Sequence, residues 1–348
     1  MTDTAIKNAL QKLVEREDLS EEEAGACMEE LMTAHATADA AGAATPAQFG
    51  AFVTALRMKG ETADEITGMA RVMREKSLHV EVEGPLLDTC GTGGDGSGSF
   101  NVSTAAAFVA AGAGARVAKH GNRAMTSQCG SADVLEALGA KIDLTPGQVA
   151  ACIERAGVGF MFAQAFHPAM KFVAPLRREI GIRTVFNMLG PLTNPAGARH
   201  QVIGVPRPDL VEMLAAVLRR LDSDHALVVH GEDGCDEVSI TGPTLVAELI
   251  DGGVRTYHIT PEDAGLPRHD AAQVRGGSPQ ENAAQLERVV DGAPGALREF
   301  VLINAAAALV AGDAAPDLAA GVRLAAQSID SGAARERLAA FVAATNEV

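Results

Sequence analysis

Hydrophobic residues in the first 82 positions recur at the three- and four-residue spacing of buried helix faces, as at Phe49, Phe52 and Leu56. A Ser or Thr followed three residues later by Glu or Gln forms a capping box and marks a helix start. This pattern occurs as Ser20 with Glu23, Thr45 with Gln48, and Thr62 with Glu65. Because no strand-like run intervenes, residues 1–82 are predicted to form a helical domain, in which the Ala-rich residues 34–44 connect two helices.

The pattern changes at Leu86 to short apolar runs, each followed by a Gly-rich turn and an Ala-rich helix. The runs lie at residues 86–89, 116–119, 158–162, 202–205 and 226–230. Such alternation is typical of an open, mostly parallel sheet with helices on both faces, which binds ligands at the carboxyl ends of its strands. The predicted fold class is α/β: a small N-terminal helical domain plus a larger α/β domain with a mostly parallel central sheet.

Composition narrows the classes of function. The chain has 348 residues, and its formal net charge of -16 opposes nonspecific binding to nucleic acid or to an anionic membrane. Its longest apolar stretch, near residues 105–115, is too short to span a bilayer, and the N-terminus lacks the pattern of an export signal. Five widely spaced cysteines without a CxxC pair fit a reducing compartment. We therefore expect a cytoplasmic protein that acts on small molecules.

A glycine loop at residues 88–104 follows the first predicted strand and ends at an Ala-rich helix. Glycines let backbone N–H groups approach phosphate oxygens, and a helix N-terminus adds donors and a favourable dipole. Gly91, Gly93 and Gly96 also satisfy GxGxxG, but a dinucleotide site needs an acidic residue about 20 positions later. No Asp or Glu occurs between Asp95 and Asp133, which favours phosphate binding over a dinucleotide site.

A lysine loop at residues 119–123 follows the next predicted strand and carries Lys119, His120 and Arg123 around Gly121. Either loop alone is equally well explained as an ordinary strand-to-helix turn. Together, two loops at neighbouring strand ends are suited to hold two phosphate groups.

An acidic loop at residues 231–239 follows the predicted strand at 226–230 and contains four carboxylates. Carboxylates at a polyphosphate site are useful Mg²⁺ ligands, and Asp236 and Glu237 are the best candidates. The alternative, a solvated acidic turn, stays open from this loop alone, and so does a general acid or base role for the pair.

A further helix is predicted to begin near Pro168 and to carry Arg177 and Arg178 in its last turns. A guanidinium can bind a carboxylate through two hydrogen bonds, but cations near a helix C-terminus are also favoured by the dipole. The dipole explains Arg178 better, whereas both explanations stay open for Arg177. His167 is interpreted as an N-terminal residue of this helix, and the cysteines as packing residues.

Taken together, these motifs resemble those of the anthranilate phosphoribosyltransferase family in order and spacing. They are GTGGDG at 91–96, NVST at 101–104, KHGNR at 119–123, GSADVLE at 130–136, FNMLGPLTNP at 186–195 and the pair Asp236-Glu237. The resemblance extends from about residue 58 to 332.

The resemblance implies a helical domain at 1–82, joined by helices from about 168–190, which makes a homodimer contact. It implies an α/β domain at 83–167 and 191–348 that binds 5-phosphoribosyl 1-diphosphate. The implied activity is the Mg²⁺-dependent transfer of the phosphoribosyl group to the amine of anthranilate, in tryptophan biosynthesis.

The resemblance also implies site residues. It places Mg²⁺ on Ser103, Asp236 and Glu237, anthranilate on Asn122 and Arg177, and catalysis on Lys119, Asn122 and Arg177. The implied substrate-binding residues are Gly91, Gly94, Asp95, Ser99, Asn101, Val102, Ser103, Thr104, Lys119, His120, Gly121, Asn122, Arg123, Ser127, Ser131 and Arg177.

The chain departs from the family pattern at 126–129, where Thr-Ser-Gln-Cys stands in place of a serine-rich stretch. A pyrimidine nucleoside phosphorylase would share the fold but carry a different lysine-loop motif. A non-catalytic, nucleic-acid-binding paralogue is disfavoured by the net charge and by the acidic pair Asp236-Glu237.

Overall fold

The computed structural model describes residues 4–33, 44–124 and 128–348. The described residues divide into two compact units, a helical unit within Met1–Leu78 and Gln164–Pro195 and an α/β unit within His79–Ala163 and Ala196–Val348. All but the last residue of the expected connection at 34–44 lies outside the described residues.

The elements are numbered in chain order. The strands are β1 (Leu87–Gly91), β2 (Val117–Gly121), β3 (Val158–Phe162), β4 (His200–Gly204), β5 (His225–Gly231), β6 (Thr244–Ile250) and β7 (Gly253–Ile259). The helices are α1 (Ala5–Val14), α2 (Glu21–Thr33), α3 (Pro46–Lys59), α4 (Ala63–Glu75), α5 (Val102–Gly112), α6 (Ser131–Ala137), α7 (Pro146–Ala156), α8 (Ala163–Phe166), α9 (Met170–Ile180), α10 (Phe186–Leu192), α11 (Asp209–Arg220), α12 (Pro279–Val290), α13 (Ala296–Ala311), α14 (Leu318–Asp330) and α15 (Ala333–Glu347).

The helical unit confirms the three predicted capping boxes. At the start of α2, for example, the Glu23 N–H donates to Ser20 Oγ at 3.2 Å and the Ser20 N–H donates to Glu23 Oε2 at 2.9 Å. Thr45 and Thr62 form the same reciprocal pair at α3 and α4. These bonds satisfy N–H groups that have no partner within the helix, which fixes where each helix begins.

Helix α9 begins later than the sequence predicted. His167 and Pro168 lie in a turn before it, where their carbonyls accept from the N–H groups of Met170 at 2.9 Å and Lys171 at 3.1 Å. The predictions of Pro168 at the helix start and of His167 inside the helix are therefore wrong, because the helix begins at Met170. Burial lowers the pKa of His167 to about 4, so its imidazole is neutral at pH 7.

The α/β unit contains a seven-stranded sheet of order β3-β2-β1-β4-β5-β6-β7. The first five of these are parallel, which confirms the predicted α/β class with a mostly parallel sheet. Strands β6 and β7 are antiparallel and were not predicted. The Asp251-Gly252 turn between them has positive φ at both residues, 50° and 73°, and this Asp-Gly pair is a hairpin signal present in the sequence.

The strand order reverses between β1 and β4. From β1 the chain moves outward to β2 and β3, then returns to place β4 on the other side of β1. The connections after β1 and β4 therefore diverge, and this divergence opens a crevice at the carboxyl ends of the two strands, the usual place for a ligand in such a sheet. No helix in the described ranges is long and apolar enough to cross a membrane.

Candidate active site

The glycine loop leaves β1 at the crevice and leads into α5. The Thr92 N–H donates to the Gly204 carbonyl at 2.8 Å, which ties the loop to the end of β4. At the other end of the loop, the side chain of Asn101, the residue before α5, makes no hydrogen bond to its own helix. The N–H groups at the start of α5 are thus not capped by that side chain, as binding of an anion there requires.

Three buried polar atoms in and beside this loop have no hydrogen-bond partner among the described residues: Thr92 Oγ1, Asp95 Oδ2 and Thr104 Oγ1. A buried polar atom without a partner costs about 1–3 kcal/mol, so such atoms are rare unless a ligand completes them. Their concentration around one glycine-rich loop supports a polar ligand at this position.

Lys119 lies near the end of β2 and is only 3% exposed. Its Nζ donates to the Thr89 carbonyl of β1 and, at 3.2 Å, to Ser103 Oγ at the start of α5. The Thr89 hydroxyl in turn donates to the Ser103 carbonyl at 3.0 Å. These bonds hold a buried positive charge directly beside the glycine loop, where phosphate would require it.

Asp236 of the acidic loop packs against the ends of β1 and β4. Its Oδ2 accepts from the Gly93 N–H at 2.8 Å. A Cβ built on Gly204 would lie 1.5 Å from the Asp236 carbonyl oxygen, and one on Gly91 would lie 2.4 Å from Asp236 Oδ2. Glycine is therefore required at both strand ends, because any side chain would displace the acidic loop from the glycine loop.

Glu237 completes a cluster of charges at the same place. Burial, together with the nearby carboxylates of Asp236 and Asp95, raises the pKa of Glu237 well above its usual range, while Lys119 and the Ser103 hydroxyl act in the opposite direction. The structure therefore brings the predicted residues Asp95, Ser103, Lys119, Asp236 and Glu237 together, although they come from three loops. Excess negative charge in a buried site favours a bound cation.

The lysine loop is held by the start of α6. The Ser131 hydroxyl donates to the Asn122 carbonyl at 3.3 Å, and Asp133 Oδ2 accepts from the N–H groups of Ala124 at 3.0 Å and Gly130 at 2.8 Å. Sequence reasoning missed Asp133. Its signal is the motif itself, since an acidic residue at the third position of a helix can accept from backbone N–H groups at the helix start.

Arg123 is bound to carboxylates within its own unit. Its guanidinium donates to Asp133 at 3.0 Å and to both carboxylate oxygens of Glu136, one of them at 3.0 Å, and it lies 5.5 Å from the ring centre of Phe162. Phosphate binding by Arg123, as the resemblance implied, would require it to exchange these partners.

The other predicted substrate-binding residues occupy the same two loops. Val102 is buried in the first turn of α5, and His120 is buried in β2, where its N–H donates to Asp88 Oδ1 at 3.1 Å. Gly121 ends β2, and Gly94 and Ser99 lie in the glycine loop, with Gly94 exposed. Ser127 lies outside the described residues.

The cysteines in these loops are poorly suited to act as nucleophiles. Burial raises the pKa of Cys90, with a further contribution from Asp88, and burial also raises the pKa of Cys129 to about 11. Both thiols are therefore protonated at neutral pH, and the interpretation as packing residues stands.

A third segment, missed by sequence reasoning, holds the glycine loop from outside. Residues 274–277, here called the clasp, run alongside it: the Phe100 N–H donates to the Val274 carbonyl at 3.0 Å, and the Gly276 N–H donates to the Gly98 carbonyl at 2.9 Å. Asn282 of α12 donates through Nδ2 to Asn101 Oδ1 at 2.7 Å. No local pattern marks this segment as part of a site.

Arg177 belongs to the helical unit, in the last turns of α9 as predicted. Its guanidinium lies 5.7 Å from the ring centre of Phe186, and burial lowers its pKa, with Arg183 adding to the effect. Among the described residues no carboxylate forms an ion pair with it, whereas Arg178 is simply exposed. A half-buried guanidinium without a carboxylate partner is suited to bind one from a ligand.

Two family models match the chain, one for a helical domain followed by one for an α/β domain. A model described as "Glycosyl transferase family, helical bundle domain" matches residues 7–77, and one described as "Glycosyl transferase family, a/b domain" matches residues 83–335. The second alone covers more than half of the chain.

Relatives and solved structures of one kind match nearly the whole length. The anthranilate phosphoribosyltransferase of Chloroflexus aurantiacus is 58% identical over 340 residues, with 97% of this chain and 98% of that protein covered. The crystal structure of the enzyme from Thermus thermophilus has a TM-score of 0.90 at 45% identity, covering 97% of this chain and 99% of that one. The Saccharomyces cerevisiae enzyme in complex with PRPP and Mg has a TM-score of 0.91 at 28% identity, covering 100% and 99%. The chain belongs to the anthranilate phosphoribosyltransferase family of pentosyltransferases.

Proposed function

We propose that this chain transfers the 5-phosphoribosyl group from 5-phosphoribosyl 1-diphosphate to the amine of anthranilate, giving N-(5-phosphoribosyl)anthranilate and diphosphate in tryptophan biosynthesis. The observation that carries the proposal is the cluster at the crevice, where Lys119, Ser103 and the acidic pair meet a glycine loop with unpartnered polar atoms. A diphosphate needs this combination of N–H donors, a buried cation and metal-binding carboxylates.

The residues of the acidic pair fit Mg²⁺. In the part of the chain that the structure describes, no group of three or more His, Cys, Asp or Glu could hold a metal by itself. Mg²⁺, however, usually takes only one or two carboxylates and completes its shell with water and substrate phosphates. We propose Ser103, Asp236 and Glu237 as the protein ligands. When bound, the ion would neutralise negative charge on the diphosphate.

The reaction breaks the bond between ribose C1 and a diphosphate oxygen and joins C1 to the amine nitrogen, which loses a proton. Negative charge develops on the leaving diphosphate. Lys119 would stabilise that charge, because its ammonium group is fixed by Thr89 and Ser103 before the substrate binds and needs little reorganisation. We assign no general base, since positioning of the two substrates can supply much of the rate.

Anthranilate brings a carboxylate that the protein must recognise. We propose that Arg177 binds this carboxylate and that Asn122 orients the aromatic ring. The half-buried guanidinium of Arg177, without a carboxylate partner in the described residues, supports this role. The Saccharomyces cerevisiae enzyme solved in complex with 4-fluoroanthranilate has a TM-score of 0.87 at 26% identity, and is consistent with an aromatic carboxylate as ligand.

Replacing Arg177 by Ala is expected to raise the KM for anthranilate roughly 10- to 100-fold, since a charge-assisted bond between guanidinium and carboxylate is lost. The KM for phosphoribosyl diphosphate should change little. Steady-state kinetics with each substrate varied in turn measures both constants. Arg178→Ala, a change at the exposed neighbour on the same helix, is the matched control. An unchanged anthranilate KM in Arg177→Ala would return Arg177 to a role at the helix end.

We further propose that the protein is a cytoplasmic homodimer whose contact lies on the helical unit. The large hydrophobic side chains that are exposed among the described residues, Val14, Met58, Leu78 and Ile182, all belong to this unit. Exposed apolar side chains concentrated in one unit favour a protein contact there.

A coupled assay tests the proposed function directly. Purified protein with phosphoribosyl diphosphate, Mg²⁺ and anthranilate should consume anthranilate, which is followed by the loss of its fluorescence. Omission of Mg²⁺ should slow this loss sharply. Stable anthranilate fluorescence, with phosphate-dependent cleavage of a pyrimidine nucleoside instead, would overturn the proposal in favour of a nucleoside phosphorylase.

A further inference from the structure

The Asn101 side chain is turned away from the helix that it precedes. An Asn in this position usually accepts a hydrogen bond from its own helix and so caps it. Here the amide makes no such bond and instead donates through Nδ2 to the Cys129 carbonyl at 3.1 Å. Its Oδ1 is occupied by Asn282. The two bonds hold the amide away from α5, so the Asn101 side chain does not cover the helix N-terminus. The Val102 and Thr104 N–H groups there donate to the backbone carbonyls of Phe100 and Asn101.

Asn282 is itself rigidly held. Its side chain is 1% exposed, and its Oδ1 accepts from the Gly277 N–H at 2.7 Å while its Nδ2 donates to Asn101 at 2.7 Å. These two bonds also fix which end of the amide is the donor, because only Oδ1 can accept from a backbone N–H. Asn282 therefore has one defined orientation, set by the clasp.

Gly276 of the clasp lies too close to the glycine loop and to Asn282 for any side chain to fit. A Cβ on Gly276 would lie 2.8 Å from the Ser99 carbonyl oxygen and 3.0 Å from Asn282 Nδ2. The isolated bridge between Ser99 and Arg275 adds to the pairing of clasp and glycine loop. Through Asn101 and Cys129 the connection continues to the segment before α6, so that three segments distant in sequence share one hydrogen-bonded chain.

We propose that Asn282 is a positioning residue for phosphoribosyl diphosphate: by holding Asn101 away from the N-terminus of α5, it keeps the helix terminus open for the substrate's phosphate. Asn282 acts through Asn101 and touches no reacting atom. The inference rests on the proposed function, because it assigns the ligand of the glycine loop.

Two substitutions separate this role from simple packing. Asn282→Ala removes the side-chain bonds to Gly277 and Asn101 and the contact with the Cys129 thiol. Asn282→Asp is nearly isosteric and keeps the acceptor for Gly277, but it replaces the donor to Asn101 by a carboxylate oxygen. Gln280→Ala, at an exposed position in the first turn of the same helix, is the matched control.

Both Asn282 variants are expected to raise the KM for phosphoribosyl diphosphate roughly tenfold, the effect of one lost hydrogen bond to a ligand-positioning group. The KM for anthranilate should stay within about twofold and Gln280→Ala should match the wild type. In a background carrying Asn101→Ala, the further change Asn282→Ala should have almost no effect, because the partner through which it acts is gone.

Three results with the Asn282 variants would overturn the inference. One is that Asn282→Ala raises the KM for phosphoribosyl diphosphate equally in the wild-type and the Asn101→Ala backgrounds. A second is a fall in kcat with both KM values unchanged, as a smaller folded fraction would give. The third is a wild-type KM for phosphoribosyl diphosphate in Asn282→Asp, which is the deciding variant if Asn282→Ala does not fold.

Calorimetric titration of the wild type with phosphoribosyl diphosphate and Mg²⁺ comes first. Binding establishes the proposed ligand independently of Asn282, whereas no binding overturns the proposed function and this inference together.

Discussion

Replacing Asp236 by Asn together with Glu237 by Gln is expected to reduce magnesium-dependent turnover by roughly 100-fold or more, while the protein stays folded. The loss follows because Glu237 lies beside Lys119 and Ser103, and Asp236 lies beside Glu237 and the glycine loop. Without them, the site keeps its phosphate-binding groups and Asp95 but loses the two carboxylates proposed to hold Mg²⁺ against the diphosphate.

Folding should be preserved for a structural reason. The amide introduced by Asp236→Asn retains an oxygen that can accept from the Gly93 N–H, the bond that Asp236 makes at 2.8 Å. The change Glu237→Gln removes a buried carboxyl group whose pKa is raised by burial and by Asp236, so the substitution relieves repulsion. A thermal melt measured beside the kinetics should therefore show a melting temperature at or above that of the wild type.

The control for the double variant lies in the same loop. Glu232 is exposed and faces His258 at 3.5 Å, so Glu232→Gln removes one acidic charge at a position outside the cluster. Turnover is measured over a series of Mg²⁺ concentrations for the wild type, the double variant and Glu232→Gln. If the double variant shows wild-type turnover and the same Mg²⁺ dependence, Asp236 and Glu237 are not the metal ligands.

Replacing Lys119 by Met should also reduce turnover by roughly 100-fold or more, with the main effect on kcat. Met fills a similar volume but lacks the charge that would stabilise the leaving diphosphate. Because the lysine is already fixed in the free protein by Thr89 and Ser103, its stabilising effect should be largest when negative charge develops.

Lys141→Met is the matched control, since Lys141 is an exposed lysine of the same α/β unit. Single-turnover measurements with saturating phosphoribosyl diphosphate would separate bond breaking from product release. A Lys119→Met protein with wild-type kcat and an intact fold would restrict Lys119 to holding Thr89 and Ser103 together.

Much of the local structure follows from residues that are close together in the sequence. Helix starts were predicted from capping boxes because a capping box needs only residues three positions apart, and the structure confirms them at Ser20, Thr45 and Thr62. The glycine loop was recognisable for the same reason, since its glycines and the helix behind it are contiguous. The misplaced start of α9 shows the limit of this reasoning, because a proline fits a preceding turn as well as a first helical residue.

Which of these local features meet depends on long-range contacts in the folded chain. The order of the strands places β1 between β2 and β4, and this brings the glycine loop within reach of Asp236 and Lys119. Asn282 reaches Asn101 across 181 residues, and no periodicity or motif encodes that distance. Hydrophobic patterns report which face of an element is buried and spacing reports its local geometry. Contacts between loops depend on how the sheet is assembled, which is a property of the whole chain.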